Sequence, residues 1–155
     1  MNTTTTDRIE KQITIKAPLS RVWDAIADAE KFGEWFKVDM SGQKFTPGKL
    51  VQAKMTYPGY EGMPFEVVID RIEPPQLFSF KWHPYDIDPN VDSSGEPMTL
   101  IEFRLEEVDG GTRLTVTESG FDTIPLGRRA EAFRSNREGW GIQVRNLEAY
   151  VTGKD

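Results

Sequence analysis

The sequence predicts an α+β fold in which one bent antiparallel sheet wraps around a long C-terminal helix, and three observations carry that prediction. From residue 49 to 119 the chain runs as short segments of alternating apolar and polar residues, punctuated by Pro58-Gly59, Pro74-Pro75, Pro84 and Asp109-Gly110-Gly111. Strands joined by such short turns lie antiparallel, and a sheet of that kind leaves one face in need of cover. The stretch from Ile124 to Val151 supplies the cover. Trp140, Val144, Leu147 and Val151 recur at steps of four, three and four, with Phe133 two turns before Trp140, while Arg137, Glu138, Arg145 and Glu148 mostly occupy the other faces.

The elements follow in order. Arg8 to Lys16 alternates, with Ile9, Ile13 and Ile15 on one face, as a half-buried strand does. Ala17-Pro18 ends it, and Pro18 suits the first turn of a helix whose stripe is Val22, Trp23 and Ile26. A second short helical piece places Phe32, Trp35 and Phe36 at i, i+3 and i+4. Lys49 to Tyr57 then puts Val51, Ala53, Met55 and Tyr57 on one face, Phe65 to Ile72 gives Phe65, Val67 and Ile69, and Leu77 to His83 gives Phe78, Phe80 and Trp82. Thr99 to Glu107 and Thr112 to Ser119 flank Asp109-Gly110-Gly111 as a hairpin, with Ile101, Phe103 and Leu105 turned inward. The sheet therefore has about six or seven strands, with two small helices closing one end.

Gly139 and Gly141 interrupt the long helix. Each costs about 1 kcal/mol relative to alanine, less than the roughly 1.5 to 3 kcal/mol gained by burying each apolar residue of the stripe, so the helix survives them. A residue without Cβ lets either a neighbouring backbone or a bound molecule come close. Close helix-to-sheet packing is the plainer of the two expectations.

At 155 residues the chain is long enough for one core and too short for two, which sets a single domain over residues 8–152 behind a disordered tail at 1–7. A composition of 37% hydrophobic and 28% charged residues is that of an ordinary globular protein, and a net charge of −6 argues against nucleic acid or an anionic membrane as partner. There is no cysteine, so disulfides, thiolate metal sites and cysteine nucleophiles are excluded. Met1-Asn2-Thr3-Thr4-Thr5-Thr6-Asp7 lacks the basic and apolar regions of a signal peptide, and no apolar run approaches the roughly 18 residues of a membrane span, so a cytoplasmic location is expected.

His83 is the lone histidine, which rules out HExxH and His-rich metal sites. Asp86, Asp88, Asn90 and Asp92 copy the first half of a calcium loop, but Val91 stands where the turn needs glycine and Pro97 where the bidentate glutamate belongs. The segment from Pro84 to Pro97 reads instead as an acidic solvated loop, long enough to raise the question of a lid. No G-x-S-x-G, G-x-G-x-x-G or P-loop occurs. No metal, no cofactor and no catalytic residue are assigned.

A series of local motifs nonetheless marks the chain. Ile15-Lys16-Ala17-Pro18 followed by Arg21-Val22-Trp23, then Glu34-Trp35-Phe36, Pro47-Gly48, Phe78-Ser79-Phe80-Lys81-Trp82-His83-Pro84, Gly111-Thr112-Arg113-Leu114-Thr115-Val116-Thr117-Glu118-Ser119-Gly120-Phe121 and Asn136-Arg137-Glu138-Gly139-Trp140 stand in order. Together they resemble the bacterial branch of the activator of heat-shock-protein ATPase homologue family, over roughly residues 8–151. The resemblance implies the helix-grip fold of the START-like (SRPBCC, or Bet v-like) superfamily. It further implies an apolar ligand cavity between sheet and C-terminal helix, or else the role of a chaperone partner, cyclase or hydrolase. It transfers no catalytic motif residue by residue.

Two constellations fit a ligand site. The aromatic residues Trp35, Phe36, Tyr57, Phe78, Phe80, Trp82, Phe103, Phe121, Phe133 and Trp140 exceed what the core strictly needs, and such residues line apolar pockets. The plainer expectation for any one of them is core packing. Glu118 is the second: alternation with Leu114 and Val116 turns it toward the core or its mouth, where a carboxylate must be paired, hydrogen-bonded or raised in pKa. The alternative is a strand end at which Glu118 reaches solvent or pairs with Arg128, Arg129 or Arg134. His83, just before Pro84, fits a cavity mouth or a plain surface position.

The expected function is thus binding of a small hydrophobic molecule, with Trp35, Met55, Tyr57, Trp82, His83, Glu118, Phe121, Phe133 and Trp140 as ligand residues. A chaperone-modulating partner protein and an enzyme using Glu118 are the alternatives. Monomer and homodimer stay open.

Overall fold

The computed structural model describes residues 8–83, 97–124 and 126–153. The expected tail at 1–7 and the acidic segment at 84–96 lie outside the described residues. The chain forms β1 (Arg8–Ile15), α1 (Leu19–Ala27), α2 (Ala29–Phe36), β2 (Val38–Asp39), β3 (Leu50–Met55), β4 (Pro64–Glu73), β5 (Leu77–Trp82), β6 (Thr99–Val108), β7 (Gly111–Ser119) and α3 (Leu126–Thr152), with a 3-10 turn at Phe121–Thr123. The strands make one seven-stranded antiparallel sheet in the order β1-β7-β6-β5-β4-β3-β2, curled into a half-barrel that holds α3 in the manner of a helix-grip α+β fold.

The alternating patterns place the strands as expected, and the strand missing from the sequence reading is the two-residue β2. It is too short to show a period, and it forms because α2 ends abruptly. Lys37 adopts the left-handed conformation (φ 71°) and its N–H donates to the Gly33 carbonyl, closing the helix. The chain then doubles back so tightly that a Cβ on Gly33 would run into the Val38 carbonyl oxygen. Pro18 lies one residue outside its expected place: it caps α1, its carbonyl accepting from the Arg21 and Val22 N–H groups at 3.0 and 3.2 Å. The β4–β5 register shifts between Ile69 and Arg71, where the Arg71 N–H donates to Ser79 Oγ instead of to the ladder, and such a bulge helps bend the sheet.

The concave face is filled by Ile69, Phe78, Phe80, Ile101, Phe103, Leu114 and Val116, each no more than 1% exposed. Against it lie α1, α2 and the inner stripe of α3. That stripe differs from the expected one in an instructive way. Trp140, Leu147 and Val151 are buried, but Phe133 and Val144 are only half-buried, and the intervening inward positions are Ala132, Asn136 and Gln143. Polar side chains in the grip demand partners. Gln143 Nε2 donates to the Phe36 carbonyl at 3.0 Å, fixing the end of α2 on α3. Tyr150 adds a bond from its hydroxyl to Glu34 at 2.6 Å. Among the described residues no helix is long and apolar enough to cross a membrane.

Candidate functional site

A cavity of about 320 Å³ opens between the middle of α3 and the β3–β4–β5 side of the sheet. Strand alternation builds one wall: Phe78, Phe80 and Trp82 point inward along β5, so the last of them reaches the mouth, followed by His83. Phe65 of β4 and Met55 of β3 continue that wall, and Tyr57 and Tyr60 close it from the turn after β3. The opposite wall is about two helical turns of α3, with Asn136, Gly139, Trp140 and Gln143 on the lining. Phe36, at the end of α2, forms the floor. Its ring lies 6.2 Å from both indoles. Trp82 and Trp140 stack across the gap with centroids 5.7 Å apart and planes at 26°.

Behind that stacked pair sits Glu118, with no exposed surface. Its Oε1 accepts from Trp140 Nε1 at 2.8 Å and from Asn136 Nδ2 at 3.1 Å. Its Oε2 accepts from Trp82 Nε1 at 2.8 Å, from Asn136 Nδ2 at 3.0 Å and from Thr99 Oγ1 at 2.6 Å. The solvent-reaching alternative is thereby corrected: β7 continues past Glu118 into Ser119, and pairing with Ile9 and Ile101 holds the residue inside the sheet. Among the described residues none of its partners is a cation, and the side chain of Arg128 lies outside them. Arg129 donates instead to the carbonyls of Ile124 and Asp122, and Arg134 is exposed.

Burial pushes the Glu118 carboxyl above its ordinary value, and the bonds from Thr99, Trp82, Trp140 and Asn136 oppose that rise. Indole N–H and amide N–H can only donate, whereas the threonine hydroxyl can also accept. A protonated Glu118 is therefore still fully satisfied with its proton on Oε2 directed at Thr99 Oγ1. Both charge states fit one geometry.

Of the residues expected to hold a ligand, Met55, Tyr57, Trp82, His83 and Trp140 come together on the cavity wall. Glu118 lies just behind it. The others stand elsewhere. Trp35 is 2% exposed, donates from Nε1 to the Ala25 carbonyl at 2.8 Å, and packs edge-on to Phe32. Phe121 is fully buried against Phe133, with centroids 5.2 Å apart, and neither is part of the cavity lining. Periodicity gave each an inward face but not a depth along the sheet, and depth separates lining from packing.

The glycines of α3 also depart from the plainer expectation. A Cβ built on Gly139 or Gly141 meets no atom within 4 Å, so neither glycine serves close helix-to-sheet packing. Gly139 faces the cavity, whereas Gly141 does not. Asn136 was missed by sequence reasoning although its signal was present: it stands four residues before Trp140, a polar residue on the same helical face. His83 Nδ1 is buried and has no hydrogen-bond partner among the described residues. Among the described residues no three His, Asp or Glu side chains gather as a metal site requires.

The sequence model of the Activator of Hsp90 ATPase homolog 1-like protein family matches residues 16–152. No curated protein matches the sequence. Solved structures do. A protein of Mesorhizobium loti superposes with a TM-score of 0.73 at 21% identity, over 96% of this chain and 98% of its own. One from Mycobacterium smegmatis gives 0.71 at 22%, over 93% and 90%, and one from Nitrosomonas europaea gives 0.70 at 18%, over 96% of each. At such identities the likeness is one of fold alone.

Proposed function

The chain belongs to the Activator of Hsp90 ATPase homolog 1-like family, and from that premise we propose that it binds a small apolar or aromatic molecule between the sheet and α3. The observation that carries this reading is a cavity of about 320 Å³ lined by six aromatic side chains, with a glycine in its helical wall. Ligand pockets run from about 300 to 1,000 Å³, so the occupant is small, of one or two rings. Tyr60 and Ile142, at 41% and 40% exposure, stand on the rim, an apolar entrance that water solvates poorly.

Met55, Tyr57, Trp82, His83 and Trp140 contact the ligand in this reading. Glu118 positions the two indoles without touching it, and Trp35, Phe121 and Phe133 support the walls from behind. That sealed position also favours binding over acid–base chemistry, because a catalytic carboxyl must come within hydrogen-bond reach of its substrate. A chaperone-docking reading calls for a broad exposed apolar patch. Leu50, Tyr60 and Ile142 are the exposed large hydrophobic residues among those described, and two of them belong to the cavity rim.

The test is titration with N-phenylnaphthylamine, a neutral probe that brightens in apolar surroundings, while following quenching of tryptophan emission. Saturable binding of one probe per chain, with quenching abolished in Trp82→Phe/Trp140→Phe, is expected. A wild-type protein that shows no saturable binding, and carries no retained molecule in native mass spectrometry, would end the reading.

A further inference from the structure

We infer that the cavity selects a small aromatic or apolar organic cation, an amine or quaternary ammonium, over its neutral and anionic counterparts; this rests on the ligand-binding reading above and gives its ligand a charge.

No lysine or arginine is on the lining. The carboxylate at its edge is Glu138, exposed and with no ion-pair partner among the described residues, whereas the side chain of Glu66 turns to the outer face of the sheet, where it accepts from the Gln52 amide at 2.9 Å. An anion entering here meets like charge, whereas a cation gains from it.

The polar inventory points the same way. The N–H donors of Trp82, Trp140 and Asn136 are engaged on Glu118, and Gln143 donates to the Phe36 carbonyl. The other polar groups on the lining, the hydroxyls of Tyr57, Tyr60 and Ser135 and the unpartnered imidazole nitrogen of His83, can accept from an ammonium N–H. The stacked indoles of Trp82 and Trp140, with Phe36 and Phe65 edge-on about them, bring four aromatic rings to the lining, and such sets of aromatic residues recognise quaternary ammonium groups. The chain's net charge of −6 adds a field that draws cations toward the protein.

The test uses three probes of one framework, naphthylmethylammonium, naphthylmethanol and naphthoate, with tryptophan quenching as readout at low and high salt. The expected order is cation, then neutral, then anion, with the cation at least about tenfold tighter than the alcohol, equivalent to about 1.4 kcal/mol. Glu138→Gln, an exposed change that touches no partner, is expected to weaken the cation about threefold and leave the alcohol unchanged, and high salt to weaken the cation alone. Equal affinity for ammonium and alcohol overturns the charge preference while leaving the ligand-binding reading intact. Tighter binding of naphthoate overturns it outright, and binding of none of the three removes both.

Discussion

Ten aromatic residues, from Phe32, Trp35, Phe45 and Phe78 through Phe80 and Phe103 to Phe36, Phe65, Trp82 and Trp140, form one continuous network with two unlike ends. At the closed end Phe32, Trp35, Phe45 and Phe78 are surrounded by neighbours on all sides, with Phe32 centred 4.9 Å from Trp35 and 5.4 Å from Phe45. At the open end Phe36, Phe65, Trp82 and Trp140 touch the same network on one side and the cavity on the other. The glycines divide likewise. Gly33 is pressed against the Val38 carbonyl, while Gly139 faces empty space. Similar residue types thus do packing at one end and leave room at the other, and what separates them is the polar anchor. Glu118 and its four donors tie α3 to β5, β6 and β7 at the open end, and the closed end has no such buried carboxylate among the described residues.

The comparison predicts unequal responses to mutation. Phe32→Ala empties the closed end and is expected to cost about 3–5 kcal/mol of stability, read from a denaturant midpoint. A cost under about 1 kcal/mol would show that the closed end is not packed as described.

Glu118→Gln strikes the anchor. The amide oxygen can replace Oε1 toward Trp140 and Asn136, but the amide nitrogen then faces the Trp82 N–H and leaves it without an acceptor, at about 1–3 kcal/mol. The pH dependence has a definite sign. Burial raises the folded-state carboxyl, so the native protein holds this proton to higher pH than the unfolded chain. The stabilisation is complete below the ordinary glutamate value of about 4.3 and is lost as pH rises through the folded value. Wild type is therefore expected to lose stability across that window while Glu118→Gln does not, so the gap between them narrows as pH climbs. A gap that widens contradicts a raised carboxyl.

The smallest effects sharpen the comparison best. Gly141→Ala should add about 1 kcal/mol to stability and leave probe binding unchanged, since it improves helix propensity over open space. Gly139→Leu should stabilise by a similar amount, about 1 kcal/mol, yet abolish probe binding by filling the cavity. If both variants bind alike, Gly139 does not shape the site.

Much of this was legible in the sequence. Period-two alternation gave six of the seven strands, and β2 escaped because two residues carry no period. The stripe on α3 was visible through Trp140, Leu147 and Val151. The site was legible only in part, and the reason is geometric. Alternation turns Trp82, Tyr57 and Glu118 inward, but whether an inward side chain meets a cavity or another ring depends on how far apart helix and sheet stand. There Asn136 and Trp140 of α3, Trp82 of β5 and Thr99 of β6 converge on Glu118 of β7, a coincidence no single stretch of sequence displays. For the same reason Trp35, Phe121 and Phe133 look like Trp82 in the sequence and differ from it in space.

One consequence concerns how such a protein could change its ligand over evolution. In the proposed reading the gap between α3 and the sheet is gauged by a residue that the ligand does not touch, through bonds to both walls at once. Replacements at Met55, Tyr57 or Ile142 can re-contour the chamber while the gauge stays set, so a fixed frame can host successive occupants. Altering residue 118 itself would instead reset the spacing of the whole chamber, and with it every contact inside.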